Sequence, residues 1–235
     1  MGDPAPAAAR SGPVKPADAA GLVLIRAGAS GDPEILIGRR PAKMGFLPGI
    51  HVVPGGRVDP PDAASPYPGA PHLAVVRALG GRRPPIAFFN AALRETHEET
   101  GLLVGKPFGG TIAETESPFW QAYRAAGLGP DYGAIDYLCR AITPVTSKRR
   151  FNTRFFLADG NQVAGTLGGN GELEDLAWAK ARTLADLTLV DVTQYVLKTA
   201  LERWTSRAPV GAIPAKLLNY RKDIMTLSSR RGTPR

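Results

Sequence analysis

The chain is poor in the residues that build disulfide frameworks, zinc sites and membrane spans. Its 235 residues include one cysteine and three histidines, which are scattered along the sequence. A single cysteine excludes an internal disulfide and is typical of a reducing compartment, and isolated histidines give little support to a zinc site. No apolar run approaches the roughly 18 residues of a membrane span. We therefore expect a globular, cytoplasmic protein with no membrane-spanning segment.

Positive charge is in surplus, and most of the surplus lies near the C-terminus. The formal net charge is +8, and from Arg203 onward eight basic residues stand against one acid, Asp223. Such a tail can bind nucleic acid or acidic lipid, but aromatic residues are sparse in it. We interpret residues 205–235 as a basic extension that is solvated or contacts a second copy of the chain, not as a nucleic-acid site.

Short β-rich runs and helical patterns follow each other without strict alternation, which favours an α+β fold. Residues 1–17 are rich in proline and alanine and predict a disordered lead, so the folded domain is expected at 18–204. Strands are predicted at 19–27 and 34–40, which form a hairpin, and also at 51–56, 135–144, 154–159 and 176–181. Helices are predicted at 85–99, 118–127 and 191–204.

The stretch NAALRETHEETG, residues 90–101, concentrates acids on one helical face. At 100° per residue, Glu95, Glu98 and Glu99 fall within an arc of roughly 100°, and like charges so spaced repel each other. Gly101 predicts the end of the helix, so the carboxylates also lie at the negative end of the helix dipole. A solvated acidic face is one interpretation. Bound Mg²⁺ or Mn²⁺ is the one we prefer, because oxygen ligands select hard divalent ions.

A glycine turn precedes this helix, and the two together resemble the signature of the Nudix hydrolases. Gly56 is followed after five residues by an acid, Asp62, and Arg94 to Gly101 match Arg-Glu-x-x-Glu-Glu-x-Gly. Asp62 stands where glutamate is usual, and Thr96 stands where an aliphatic residue is usual. The two halves are separated by a 24-residue insertion at 63–86, which we expect to leave the surface as a lid or a dimer contact and to contain one short helix.

The resemblance implies a mixed β-sheet between helices and hydrolysis of a nucleoside diphosphate derivative by water. In the family pattern Glu95, Glu98 and Glu99 bind the metal ions together with the carbonyl of Gly55, and Arg94 orients Glu95. The general base remains open between Glu95 and a glutamate of a later loop. Glu172 and Glu174 are the candidates there.

The run at residues 36–56, LIGRRPAKMGFLPGIHVVPGG, and the run at 143–158 resemble one branch of the family. That branch contains the coenzyme A diphosphatase of mammalian peroxisomes, whose motif is also split by an insertion. The resemblance implies cleavage of coenzyme A or acyl-coenzyme A to 3′,5′-ADP and the 4′-phosphopantetheine product, and we expect Arg39 and Arg40 to bind substrate phosphates. The alternatives are hydrolysis of ADP-ribose or a dinucleotide such as NADH, and a non-catalytic nucleotide sensor with a nucleic-acid-binding tail.

Overall fold

A computed structural model describes residues 14–45, 47–221 and 224–229 of the chain. Most of the predicted disordered lead, residues 1–13, lies outside the described residues. Four α-helices are found in the described part of the chain: α1 Leu73–Leu79, α2 Pro85–Thr100, α3 Pro118–Ala125 and α4 Asp191–Ser206. Short 3₁₀ turns lie at Pro60–Ala63, Tyr132–Ala134, Gly160–Gln162 and Ala181–Asp186. None of these helices is both long enough and apolar enough to cross a membrane.

The strands of the described residues are β1 Ala17–Ala27, β2 Pro33–Arg39, β3 His51–Val52, β4 Gly55–Arg57, β5 Leu103–Pro107, β6 Leu128–Pro130, β7 Asp136–Ile142, β8 Phe151–Asp159, β9 Val163–Ala164, β10 Glu174–Lys180, β11 Lys216–Arg221 and β12 Ile224–Ser229. Within the described ranges, nine of them form one sheet in the order β10-β2-β1-β8-β7-β11-β12, with β3 paired to β2 and β4 to β1. The sheet is mixed, because β1 runs parallel to β8 and antiparallel to β2.

Strand β1 explains why the sheet lies between two helical layers. Its run Leu22–Ile25 is fully buried, and successive side chains point to opposite faces. Leu22 and Leu24 pack in a cluster that includes Phe88 and Phe89 of α2, whereas Val23 and Ile25 pack in a second cluster with Val196 and Leu197 of α4. A continuous apolar run is therefore needed here in place of alternation. The predicted α+β fold, a mixed sheet between helices, is confirmed.

The insertion is anchored to the body of the protein on one side. As predicted, it contains one short helix, α1, but Val75 and Leu79 of that helix are 0% and 1% exposed and belong to the main core. The ring of Tyr67 packs edge-on against Phe108, with ring centroids 4.8 Å apart. Helix α2 begins at Pro85, so the predicted range 63–86 runs two residues into that helix. The segment is a packed excursion and not only a surface loop.

The sheet continues past residue 204, where the sequence analysis ended the domain. Strand β11 pairs in parallel with β7, with Lys216 opposite Cys139, and the side chain of Leu218 is fully buried. Strand β12 pairs antiparallel to β11. The part of the basic extension that the structure describes is thus a hairpin of the central sheet, and residues 222–223 and 230–235 lie outside the described residues.

Candidate active site

The acidic residues lie in the last two turns of α2, whose ends match its sequence. Pro85 opens the helix without a lost hydrogen bond. Gly101 ends it in the left-handed conformation with φ 74°, and a Cβ atom there would lie 2.6 Å from the carbonyl oxygen of Thr166. Only glycine fits that position. Thr96, which departs from the family pattern, is fully buried and donates to the Ala92 carbonyl at 2.7 Å, so its hydroxyl is satisfied within the helix.

Arg94 joins the two halves of the split motif. Its Nε and Nη2 donate to the Asp62 carboxylate at 3.0 and 3.1 Å, and Nη1 donates to Glu95 and Glu98, both at 3.0 Å. A second Nη2 contact reaches the Arg57 carbonyl at 3.1 Å. All five donors of the guanidinium fork are therefore used. Burial lowers the pKa of Arg94, but the hydrogen bond that it donates to Asp62 and the charges of the three acids outweigh burial and raise that pKa above its ordinary value.

Asp62 is brought to this cluster although it lies 32 positions before Arg94 in the chain. Its side chain is 5% exposed and also accepts from the backbone N–H of Asp59 at 2.8 Å. The inserted residues lie between Asp62 and α2 in sequence. They lengthen the chain there, but Asp62 and Arg94 remain in contact, so the two halves of the motif stay together in space. The shorter aspartate reaches the arginine from the 3₁₀ turn Pro60–Ala63.

The backbone of the glycine turn, Gly55 and Gly56, lies directly against the glutamate side chains of α2. The N–H of Gly55 donates to Oε2 of Glu99 at 2.9 Å. A Cβ atom on Gly56 would lie 2.4 Å from the carboxyl carbon of Glu95, and one on Gly55 would lie 2.4 Å from the carbonyl oxygen of Ala20. Both positions therefore require glycine, because any side chain would displace strand β1 or a site carboxylate.

Burial makes two of the three carboxylates costly to ionise. It raises the pKa of Glu99 to about 8, with further increases from the charges of Glu95 and Glu172 and a partial decrease from the Gly55 hydrogen bond. Burial likewise raises the pKa of Glu95 to about 7, although the Arg94 charge opposes this. Glu98 differs from both because its side chain is 43% exposed. Such carboxylates need a cationic partner that the described side chains supply only in part.

A cavity of about 590 Å³ opens over this face, and we call it the acidic cavity. The three glutamates line it together with Gly55 and Gly56, and so do Arg40, Arg149 and Glu172. Burial lowers the pKa of Arg40, while the charges of Glu99 and Glu172 act in the other direction. The cavity therefore combines carboxylates with guanidinium groups, as a metal-bridged phosphate ligand requires.

Arg39 does not line the acidic cavity. It pairs with Asp175 at 2.7 Å and with Glu174 at 2.9 Å, on the neighbouring strand β10. Adjacent residues of a strand point to opposite faces, so only one of the two predicted phosphate-binding arginines can face the cavity from β2 and the residue after it. The predicted role of Arg39 in substrate binding thus has no support from its position, and Glu174 is engaged with it.

From sequence, Glu172 is a candidate base and Arg149 a candidate phosphate contact, although solvated surface groups are the favoured interpretation of both; both line the acidic cavity. Glu172 follows a glycine-rich loop that covers the C-terminal end of α2. The N–H groups of Gly168 and Asn170 donate to the carbonyls of Thr100 and Glu98 at 2.9 and 3.1 Å. The glycine run at 165–171 was the available signal, since it is the kind of segment that can approach a helix end closely.

The donor set fits a hard divalent cation, but the carboxylates are not gathered around one point. In the described part of the chain, no three acidic, imidazole or thiol groups converge closely enough to hold a metal ion. Arg94 holds Glu95 and Glu98, and Gly55 holds Glu99. The half-exposed side chain of Glu98 has room to turn, and the buried carboxylates with raised pKa values call for positive charge. The residues therefore fit a metal after a local side-chain movement.

Comparison with known proteins agrees with this geometry. A scan against protein-family models found no match. The crystal structure of a Nudix hydrolase from Alicyclobacillus acidocaldarius is 32% identical and superposes with a TM-score of 0.62, over 83% of this chain and 98% of that one. Two curated relatives, both called acyl-coenzyme A diphosphatase NUDT19, are 30% identical in Gallus gallus and 25% in Xenopus laevis. They align with 59% and 63% of this chain.

The chain spans about half the length of these curated relatives, 54% and 52% respectively. Its likeness to the solved hydrolase covers nearly all of that protein. The sequence motif, the shared fold and this near-complete structural match lead to one conclusion: the chain belongs to the Nudix hydrolase family.

Proposed function

We propose that the protein is a metal-dependent diphosphatase that acts on coenzyme A and its acyl thioesters. The observation that carries the proposal is the acidic cavity, in which Glu95, Glu98 and Glu99 line the same solvent-open space as Arg40. The split motif and the names of the NUDT19 relatives support the substrate class. ADP-ribose and dinucleotides share the same diphosphate core and are the competing substrates.

The reaction adds water across the diphosphate. The water oxygen bonds to one phosphorus, the bridging P–O bond breaks, and the proton of the water is taken up by a base while the leaving phosphate departs. Mg²⁺ or Mn²⁺ held by Glu95, Glu98, Glu99 and the Gly55 carbonyl would neutralise the diphosphate and lower the pKa of bound water. The remaining steps fall to the side chains of the acidic cavity.

Arg94 would keep Glu95 and Glu98 in place by its fork of hydrogen bonds, which limits their loss of entropy on binding. Two carboxylates that line the acidic cavity are candidates for the base: Glu95 on the helix and Glu172 after the glycine-rich loop. Glu172 has its backbone N–H and one carboxylate oxygen held by Asn170, at 2.9 and 3.2 Å.

Arg40 is our proposed contact for substrate phosphate. Coenzyme A differs from ADP-ribose by a 3′-phosphate, and a charge-assisted contact to it contributes roughly 1.5 to 3 kcal/mol. Arg40→Ala should therefore reduce kcat/KM for coenzyme A by about tenfold to a hundredfold, and should reduce it less for dephospho-coenzyme A. Arg39→Ala is the matched control, because that arginine is adjacent in sequence but pairs with Glu174 and Asp175 outside the cavity.

The test is incubation with coenzyme A and Mg²⁺ or Mn²⁺, with the products identified by mass spectrometry. We expect 3′,5′-ADP and 4′-phosphopantetheine, and loss of both products in Glu98→Gln. Faster cleavage of ADP-ribose or NADH than of coenzyme A in a matched panel would reject the substrate while leaving the hydrolase reaction intact. An absence of cleavage with every substrate of the panel would reject the reaction as well.

A further inference from the structure

A second cavity, of about 300 Å³, continues from the acidic cavity along the sheet, and we call it the apolar branch. Phe151, Phe155, Val190 and Val192 line both spaces, which makes them one continuous surface. Beyond these shared residues the wall is built from Ile142 and Pro144 with the ring of Tyr220. A largely hydrocarbon pocket thus opens directly from the cavity that holds the carboxylates.

Two of the hydroxyl groups that line the apolar branch, those of Thr143 and Tyr220, hold hydrogen bonds within the protein. The hydroxyl of Thr143 accepts from the N–H of Phe151 at 3.0 Å and lies 3.3 Å from its carbonyl oxygen. The hydroxyl of Tyr220 donates to Asp191 at 2.7 Å. A purine ring needs hydrogen-bond partners along its edges, and leaving them unpaired in a buried site is costly. An alkyl chain needs none, so the lining suits an aliphatic ligand better than an adenine.

Glycine at position 21 lets the ring of Phe155 lie close to strand β1. A Cβ atom on Gly21 would lie 3.0 Å from that ring, which is closer than packed carbon atoms normally approach. Phe155 lines both cavities from this position. Strand β11 supplies Tyr220 on the far side, so the apolar branch depends on the C-terminal hairpin.

We propose that the apolar branch binds the acyl chain of an acyl-coenzyme A substrate while the diphosphate lies against the glutamates. This inference rests on the proposed function and adds to it a preference for acylated over free coenzyme A. Burying methylene groups strengthens binding by about two- to fourfold for each group. The gain should level off once the chain fills the space, which sets a medium-length optimum.

The experiment measures dissociation constants for coenzyme A and its acetyl, hexanoyl and decanoyl thioesters by calorimetry with Mg²⁺ in the Glu98→Gln background, where turnover is suppressed. Decanoyl-coenzyme A should bind at least 30-fold more tightly than coenzyme A in this background. Ile142→Trp, which fills the apolar branch, should reduce that ratio to less than threefold and leave the affinity for coenzyme A within twofold. Ser147→Trp, in the turn that also lines the branch, provides a second blocking variant outside the strand.

Val145→Trp is the control, because Val145 lies three residues after Ile142 but is 65% exposed and does not line the branch. Equal affinities for all four ligands, or an equal loss of coenzyme A and decanoyl-coenzyme A binding in the folded blocking variants, would overturn the acyl assignment. Turnover of coenzyme A is measured separately with metal present. Chain-length-dependent binding without turnover would reject the proposed reaction and uphold the branch, whereas turnover without chain-length dependence would do the reverse.

Discussion

Replacing Glu99 with glutamine should stabilise the metal-free protein in a pH-dependent way. The carboxyl is 6% exposed, and its pKa rises from an ordinary 4.5 to about 8. Because the folded state holds the proton more tightly than the unfolded state, unfolding releases a proton between these two values. The free energy of unfolding therefore falls as pH rises through this range, by about 1.4 kcal/mol per pH unit.

The magnitude follows directly from the two pKa values. Near pH 4.5 the carboxyl is protonated in the folded protein and imposes little cost, so Glu99→Gln and the unaltered protein should have similar stability. At pH 7 the difference should reach roughly 3 kcal/mol in favour of the variant, and above pH 8 roughly 5 kcal/mol. For a domain of this size, 3 kcal/mol corresponds to about 10 °C in Tm. The glutamine oxygen can still accept the N–H of Gly55.

The assay is thermal and urea unfolding in EDTA between pH 4.5 and 8.5, followed by circular dichroism. Glu98→Gln is the control for loss of charge, because it removes the same charge from the same face at a side chain that is 43% exposed. Identical pH slopes for Glu99→Gln and the unaltered protein would refute the reasoning. Added Mn²⁺ should stabilise the unaltered protein and remove the advantage of the variant, since bound metal favours the folded state.

Four further perturbations test other parts of the structure. Removal of divalent ions with EDTA should abolish product formation, and added Mn²⁺ or Mg²⁺ should restore it. With metal present, Glu98→Gln should remain at least a hundredfold slower in kcat, with an unchanged circular dichroism spectrum. Full activity in EDTA would exclude a metal-dependent reaction. Arg94→Ala should lower the free energy of unfolding by about 3 to 5 kcal/mol, read from the urea midpoint, because it leaves the buried Asp62 carboxylate without its cation. Leu79→Ala should cost about 2 to 5 kcal/mol even though it lies in the insertion, because the side chain is 1% exposed in the main core; an unchanged midpoint would mean that α1 does not pack as described.

Helix α2 and the first hairpin could be predicted because their signals are local. Proline at the first position and the spacing of the acids lie within the 16 residues of the helix, and the glycine that ends it follows directly. The long apolar run of β1 and the turn that follows it are equally local. Short strands such as β6 and β9 carry no such pattern, because two or three residues are too few to show a period.

The roles of Arg39 and Arg40 could not be separated from sequence. Alternation along a strand predicts that they point to different faces, but which face borders the cavity depends on the register between β2 and β10. That register places Glu174 opposite Arg39 across 135 residues of chain. The same kind of long-range pairing conceals β11, whose basic, weakly alternating sequence gives no indication of its parallel contact with β7.

That parallel contact between β7 and β11 has a consequence for how the protein is made. Residues 216–221 leave the ribosome after strand β7, with which they pair. One edge of β7 is therefore unpaired during synthesis, at a time when the glutamates, the glycine turn and the insertion can already fold. An unpaired strand edge is a site for wrong association between chains. A nascent chain that stalls or is cut before β11 would therefore retain every residue of its acidic cavity but lack Tyr220 in the apolar branch. It would also expose the unpaired edge of β7, to which other chains can bind.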